Sequence, residues 1–211
     1  MSGGPVIDSY LESLQAEIGA MKPFSDASER NRGPILEVLK RVFSNTRFVL
    51  EIGSGTGQHA AYFALELAHL VWQASDVADN LPGIREWVSA PPPIELDVEK
   101  EWPKLDVDAV FSANTCHIMS WKQVERMFEG IGKIPTLRVF CLYGPFNYRG
   151  KYTSDSNARF DAMLRARDSK SGLRSVEDLV ELGTRAGLRL EEDNPMPANN
   201  RLLVFQKQLD Q

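Results

Sequence analysis

The chain has 211 residues, 43% of them apolar, enough for one sizeable core in a single domain spanning residues 1–211. Its formal charge of −5 comes from 24 basic and 29 acidic residues dispersed along the chain, so no basic block offers a footprint for a phosphate backbone and nucleic acid is set aside as a partner. No stretch approaches the roughly 18 apolar residues of a membrane span, and the opening "MSGGPVIDSYLESLQ" lacks a basic leader or hydrophobic signal core, so the expectation is a cytoplasmic protein with no membrane partner.

Residues 1–30 precede the first apolar pattern and form a candidate N-terminal lid. Ile35, Val38, Leu39, Val42 and Phe43 then fall at helical spacing, with Pro34 tolerated in a first helical turn. "RFVLEIG" (47–53) is the first strand, followed by a glycine turn and a helical segment through residue 67. Further strands are expected at 70–75, 93–96, 108–114, 137–144, 187–193 and 201–208. The fullest are continuous apolar runs, as strands covered on both faces require. Val124, Met127, Phe128 and Ile131 mark another helix, and Ser175 can cap a helix whose first turn holds Asp178 and whose end is marked by Gly187. Repeated strand-then-helix order predicts right-handed crossovers in a doubly wound α/β fold with helices on both faces. The last two strands are too close in sequence for a crossover helix, so they should form an antiparallel hairpin on a seven-stranded, mostly parallel sheet. Cys116 and Cys141 sit in apolar runs without metal-ligand spacing and read as buried thiols, and no metal site is expected.

"LEIGSGTGQHA" (50–60) carries the strongest chemical signal. A strand, a tight glycine turn and a helix aim unpaired amide N–H groups and the positive helix end at one point beyond the strand. A dinucleotide loop of the form G-x-G-x-x-G would place its third glycine at position 58; here that residue is Gln58 and the third glycine is Gly57. The form G-x-G-x-G after "VLEI" is typical of class I S-adenosylmethionine-dependent methyltransferases. Asp76, ending the second strand, can accept from both ribose hydroxyls, as the acid about 20 residues beyond a nucleotide loop does. In the methyltransferase arrangement Asp97, ending the third strand, accepts from the adenine amino group, and Glu51 braces the loop or meets the methionine ammonium. The candidate cofactor set is therefore Glu51, Gly53, Ser54, Gly55, Gly57, Gln58, His59, Asp76, Asp97 and Asn114. Taken singly, glycines after strands are also plain turns, and aspartates at strand ends also cap helices.

"SERN" (28–31), "LEIGSGTGQHAAYFA" (50–64), "WQASD" (72–76), "ANTCHI" (113–118), "YGPFNYRG" (143–150), "SNARFD" (156–161) and "MPANN" (196–200) together resemble one family over nearly the whole chain. This is the family of small class I methyltransferase-like proteins long catalogued as a domain of unknown function, which includes an animal methyltransferase-like protein. The resemblance implies a Rossmann-like methyltransferase fold with a terminal hairpin, and S-adenosylmethionine binding by the Gly53 loop, Asp76 and Asp97. Where relatives tend to carry an aromatic-containing segment, this chain has "RDSKSGLRS" (167–175).

Ligands of open α/β sheets bind beyond the carboxyl ends of the strands, which brings "SANTCHI" and "YGPFNY" beside the transferred methyl. Asn114, His117 and Tyr143 are the candidate catalytic residues, with His117 as proton acceptor because its ordinary pKa lies near working pH. Its plainer reading is a loop histidine bonded to backbone. Asn31, Tyr143, Asn147, Asn157, Asn199 and Asn200 are candidate substrate contacts, since neutral amides suit a polar, uncharged ligand, although asparagine also simply favours turns. The leading expectation is in-line methyl transfer from S-adenosylmethionine, leaving S-adenosylhomocysteine, to a small polar molecule by a monomer or homodimer. The alternatives are a non-catalytic cofactor-binding or interaction protein on the same fold and a nicotinamide-dependent oxidoreductase.

Overall fold

In the computed structural model, which describes residues 22–208, alternate side chains of β1 (Phe48–Ile52) separate onto two faces. Leu50 and Ile52 enter one core, Val49 the other. The same division runs through β4 (Ala109–Ala113), β5 (Val139–Gly144) and β9 (Asn200–Lys207), because successive strand side chains point to opposite faces. Both faces are covered, which is why these strands read as unbroken apolar runs.

One face is packed by α4 (Trp121–Gly132) and α6 (Val176–Arg185), the other by α1 (Asp26–Val42), α2 (Gln58–Glu66) and the short α3 (Leu81–Arg85). With β2 (Val71–Asp76), β3 (Ile94–Glu95) and β8 (Leu188–Met196), the sheet has seven strands in the order β3-β2-β1-β4-β5-β9-β8. Pairing is parallel from β3 to β5 and antiparallel for β5 with β9 and β9 with β8. The expected mostly parallel sheet with a C-terminal antiparallel hairpin is therefore present. Strand order reverses beside β1, between β2 and β4, so the carboxyl ends of β1, β2 and β4 open a crevice on one edge.

Several boundaries differ from the sequence expectation. α1 begins at Asp26, capped by the Ser25 hydroxyl, so Pro34 lies inside the helix and not in its first turn. Its first two turns are polar and carry no apolar rhythm, which hid them. α5 (Asp155–Arg167) was not expected, because its buried residues include Asn157 and Asp161 beside Leu164. Ser175 precedes α6 without a side-chain cap; its Oγ accepts from Gly150 N at 3.3 Å. β8 runs to Met196, and only Pro197–Asn199 separates it from β9, since an edge strand can carry the polar residues "EEDN". A small parallel pair, β6 (Phe146–Asn147) with β7 (Arg174–Ser175), completes the strands and was also unforeseen. Of the candidate lid, residues 1–21 lie outside the described residues, and residues 26–30 are the start of α1. Among the described residues no helix is long and apolar enough to cross a membrane.

Candidate active site

A cleft of about 670 Å³ lies over the carboxyl ends of the parallel strands. One half is built by the turn after β1, by Asp76 and by the turn after β4. Gly53 and Gly55 are needed there for different reasons. Both have positive φ, but a Cβ at Gly53 would lie 2.6 Å from Thr115 Oγ1, whereas one at Gly55 would meet nothing within 4 Å. Gly53 lets two loops close against each other, and Gly55 leaves a bare backbone facing the cleft.

Asp76 organises this half. Its Oδ2 accepts from Gly55 N at 2.7 Å, and its Oδ1 from Val77 N and Asn80 Nδ2, each at 2.8 Å. The carboxylate thus stands at the tip of β2, locked to the glycine turn and still bordering the cleft. Beneath it, Glu51 accepts from Ser54 Oγ at 2.9 Å and Trp72 Nε1 at 3.1 Å. Burial, reinforced by the charge of Asp76, raises the Glu51 pKa to about 7 against the pull of those two hydrogen bonds. Glu51 braces the turn from below and is not part of the cleft wall.

The other half is walled by the starts of α1 and α5 and by the turn after β4. Asn114 holds φ +58 at the end of β4, its N–H donating to Tyr143 O at 2.9 Å; asparagine tolerates this left-handed conformation better than most residues. His117 is 7% exposed and lines the cleft, and its ring nitrogens have no hydrogen-bond partner among the described residues. Burial first, and then the nearby Arg174 charge, lower its pKa to about 4, so the imidazole is neutral at pH 7. The Phe160 ring stands edge-on to it with centroids 5.2 Å apart.

The remaining expected residues divide cleanly by position. Gly53, Ser54, Gly55, His59, Asp76 and Asn114 line the cleft, as do His117, Asn157 and Asn200. Gln58 does not: its Nε2 donates to Glu29 Oε1 at 2.8 Å and its Oε1 accepts from Thr56 Oγ1 and Ser25 N, tying the glycine turn to α1. Gly57 is the N-cap residue of α2, packed against Ile84. Asp97 lies past β3 on the same sheet edge but outside the wall, where its carboxylate accepts from Glu99 N at 2.9 Å and closes a turn.

Tyr143 is 2% exposed and its hydroxyl faces Asn31 and Asn200; burial raises its pKa. Asn31 Oδ1 is 2.6 Å from His59 Nε2, so Asn31 and Tyr143 form a polar layer behind the wall. Burial lowers the His59 pKa to about 4. Asn147 is buried outside the wall, its Oδ1 without a partner among the described residues. Asn199 is exposed and contributes its carbonyl to Asn157 Nδ2 at 3.2 Å. The sequence reading passed over Ser28, Arg30, Asn80, Thr115, Ser156 and Phe160, all in the wall. "SERN" and "SNARFD" contain four of them, each within three residues of an asparagine that is the more distinctive polar signal.

Known proteins agree with this architecture. The model of a family described as "Protein of unknown function (DUF938)" matches residues 22–207. Among solved structures, the mitomycin 7-O-methyltransferase MmcR superposes with a TM-score of 0.69 at 18% identity, covering 82% of this chain and 53% of that one. An O-methyltransferase family protein from Burkholderia thailandensis gives 0.70 at 16% identity, covering 88% and 59%. Human N-acetylserotonin methyltransferase, solved in complex with SAM, gives 0.67 at 14% identity, covering 87% and 58%. The chain thus spans between 53% and 59% of the length of these structures, and what they share with it is the fold.

Proposed function

We propose, from the premise that this chain belongs to the DUF938 family and has the class I methyltransferase fold, that it is an S-adenosylmethionine-dependent methyltransferase acting on a small polar molecule. The observation that carries this reading is the meeting of the bare Gly55 backbone with the Asp76 carboxylate across 2.7 Å at the crevice edge, with neutral His117 in the same cleft. The residues fit the cofactor: Gly55 admits close approach, Asp76 offers lone pairs to hydroxyls, and the N-terminus of α2 favours a carboxylate. When bound, S-adenosylmethionine supplies a methyl carbon already activated by its sulfonium.

The chain's own work is then mainly alignment, which is worth up to about 7 to 11 kcal/mol of barrier. Asn157 and Asn200 hold a polar acceptor through neutral amides, Phe160 covers an apolar face, and Asn114 fixes the floor between them. His117 takes the proton that the acceptor loses, being uncharged and unpartnered among the described residues. Its lowered pKa departs from the near-neutral value expected from sequence: the imidazole is free to accept a proton at pH 7 but is a weak base, so its contribution lies at the low end of the usual range of about 10² to 10⁴. Asp97 is proposed as a contact only through a movement of its turn, because its carboxylate is engaged by Glu99 N.

Titration calorimetry with S-adenosylhomocysteine tests the reading. Wild type should bind, Asp76→Ala should weaken binding roughly 10- to 100-fold, the range of one charged hydrogen bond, and Asn80→Ala should cost less because the carboxylate remains. No heat from wild type with either S-adenosylmethionine or its product removes the proposal. NADH and NADPH should give none, since Gln58 occupies the third-glycine position and is bonded to Glu29.

A further inference from the structure

The turn that carries His117 is held in an unusual way. Four consecutive carbonyls, those of residues 116–119, all accept hydrogen bonds from the single segment 171–174. Cys116 O accepts from Arg174 Nε at 3.2 Å, His117 O from Gly172 N at 2.9 Å, Ile118 O from Ser171 Oγ at 2.9 Å, and Met119 O from Arg174 Nη2. Arg174 Nη2 also reaches Lys170 O at 3.0 Å, closing its own loop beneath the turn. Arg174 is 9% exposed and makes no ion pair with a carboxylate among the described residues. The guanidinium also stands over the Trp121 ring, 5.9 Å from its centroid, so it is held by main-chain carbonyls and one aromatic face with no carboxylate to balance its charge.

The same segment also grips the opposite wall. Leu173 N donates to Asp161 Oδ1 at 2.6 Å, and Asp161 Oδ2 accepts from Arg165 Nε and Tyr152 OH, each at 2.8 Å. Asp161 lies on α5 next to Phe160 and one turn beyond Asn157, both in the cleft wall. Residues 171–174 therefore fix the His117 turn and α5 relative to each other, and with them the gap between the imidazole and Phe160.

We propose that segment 171–174 is the positioning element of the acceptor half of the cleft, with Arg174 as the residue that fixes the turn carrying His117. The proposal rests on the reading of His117 as the proton acceptor. Arg174 is a positioning residue, acting through the turn and touching no ligand. The glycine turn after β1 and Asp76 make no hydrogen bond to this segment, so substitution at Arg174 or Ser171 leaves that part of the cleft without a lost contact.

Imidazole NMR of the full-length chain tests this, with the His117 resonances assigned by loss in His117→Gln and S-adenosylhomocysteine calorimetry run on each variant. In wild type His117 should titrate well below the ordinary 6.5, near 4. Arg174→Gln should raise that midpoint as the adjacent charge disappears and the turn loosens, while leaving it below 6.5 because burial is the larger cause of the depression. Arg174→Lys, a point charge unable to span the carbonyls, should give a smaller rise, and Ser171→Ala should speed amide exchange at Ile118 and Met119. Affinity for S-adenosylhomocysteine should stay within about threefold in the Arg174 and Ser171 variants. An unchanged His117 midpoint in Arg174→Gln overturns the proposal. If that variant does not fold, an unchanged midpoint in Arg174→Lys together with unchanged exchange in Ser171→Ala does the same. Absence of product binding in wild type sinks the methyltransferase reading instead, while leaving the His117 titration to be judged separately.

Discussion

Glu51 sits under the glycine turn with its carboxyl fully enclosed, and its position has a measurable thermodynamic signature. Its folded pKa of about 7 lies above the ordinary 4.5, so between those values the folded chain keeps a proton that the unfolded chain has released. Stability contributed by this group is complete below about pH 4.5, declines as pH rises, and is lost above about 7, a change of at most about 3 kcal/mol. His59 and His117 act in the opposite sense: with folded values near 4, they contribute stability above about 6.5 that is lost on acidification. The comparison that isolates Glu51 is therefore the difference from Glu51→Gln, which keeps an acceptor for Trp72 and Ser54 but cannot ionise. Urea melts from pH 5 to 8 should show the variant gaining on wild type by up to about 3 kcal/mol; a difference independent of pH would mean that Glu51 is ionised throughout.

Among the elements, α4 and α6 place serines at matching positions and use them differently. Ser120 and Gln123 form a reciprocal capping box, with Ser120 N donating to Gln123 Oε1 at 2.8 Å and Gln123 N to Ser120 Oγ at 3.3 Å. Ser175 makes no such cap and is turned toward Gly150. Ser120→Ala should lower unfolding free energy by about 1 kcal/mol, and Ser175→Ala by less than half of that, both read from denaturant midpoints. Equal losses would show that the helix starts are stabilised by packing alone. Amphipathic α4 was legible because its four buried residues are all apolar, whereas α5 buries an asparagine and an aspartate and so offered no apolar stripe. Of that buried pair Asn157 meets the cleft, beside Ser156 and Phe160, while Asp161 holds segment 171–174 from behind.

Across the whole molecule, the cleft draws on segments from Ser25 to Asn200, so a ligand seated there bridges the glycine turn, α1, α5 and the C-terminal hairpin. Binding to the folded chain alone must raise its stability by mass action. S-adenosylhomocysteine at 100 times its dissociation constant should contribute about 2.7 kcal/mol, equivalent to roughly 5 to 10 °C in Tm for a chain of this size. Scanning fluorimetry should show that rise in wild type and between about a sixth and a half of it in Asp76→Ala at the same concentration, matching the 10- to 100-fold weaker binding expected there. A melting temperature indifferent to the ligand in wild type would count against the cleft as its site.

The sequence by itself determined the sheet, the hairpin and the glycine turn, because these depend on local quantities: runs of apolar residues, the absence of a crossover helix before residue 201, and three glycines after β1. It also singled out Asp76 and His117, one at a strand tip and the other in a turn beyond one. Only the tertiary structure decided which polar residues face the cleft and which support it. Gln58, Asn31 and Tyr143 belong to motifs as conspicuous as those of Asn157 and Asn200, yet the first three are turned into the scaffold. The clamp of Arg174 on the His117 turn joins residues 55 to 58 positions apart through main-chain carbonyls. Every residue presents the same carbonyl, so no pattern of side chains could have announced that contact, and only the folding of segment 171–174 against the turn after β4 and against Asp161 of α5 brings it about.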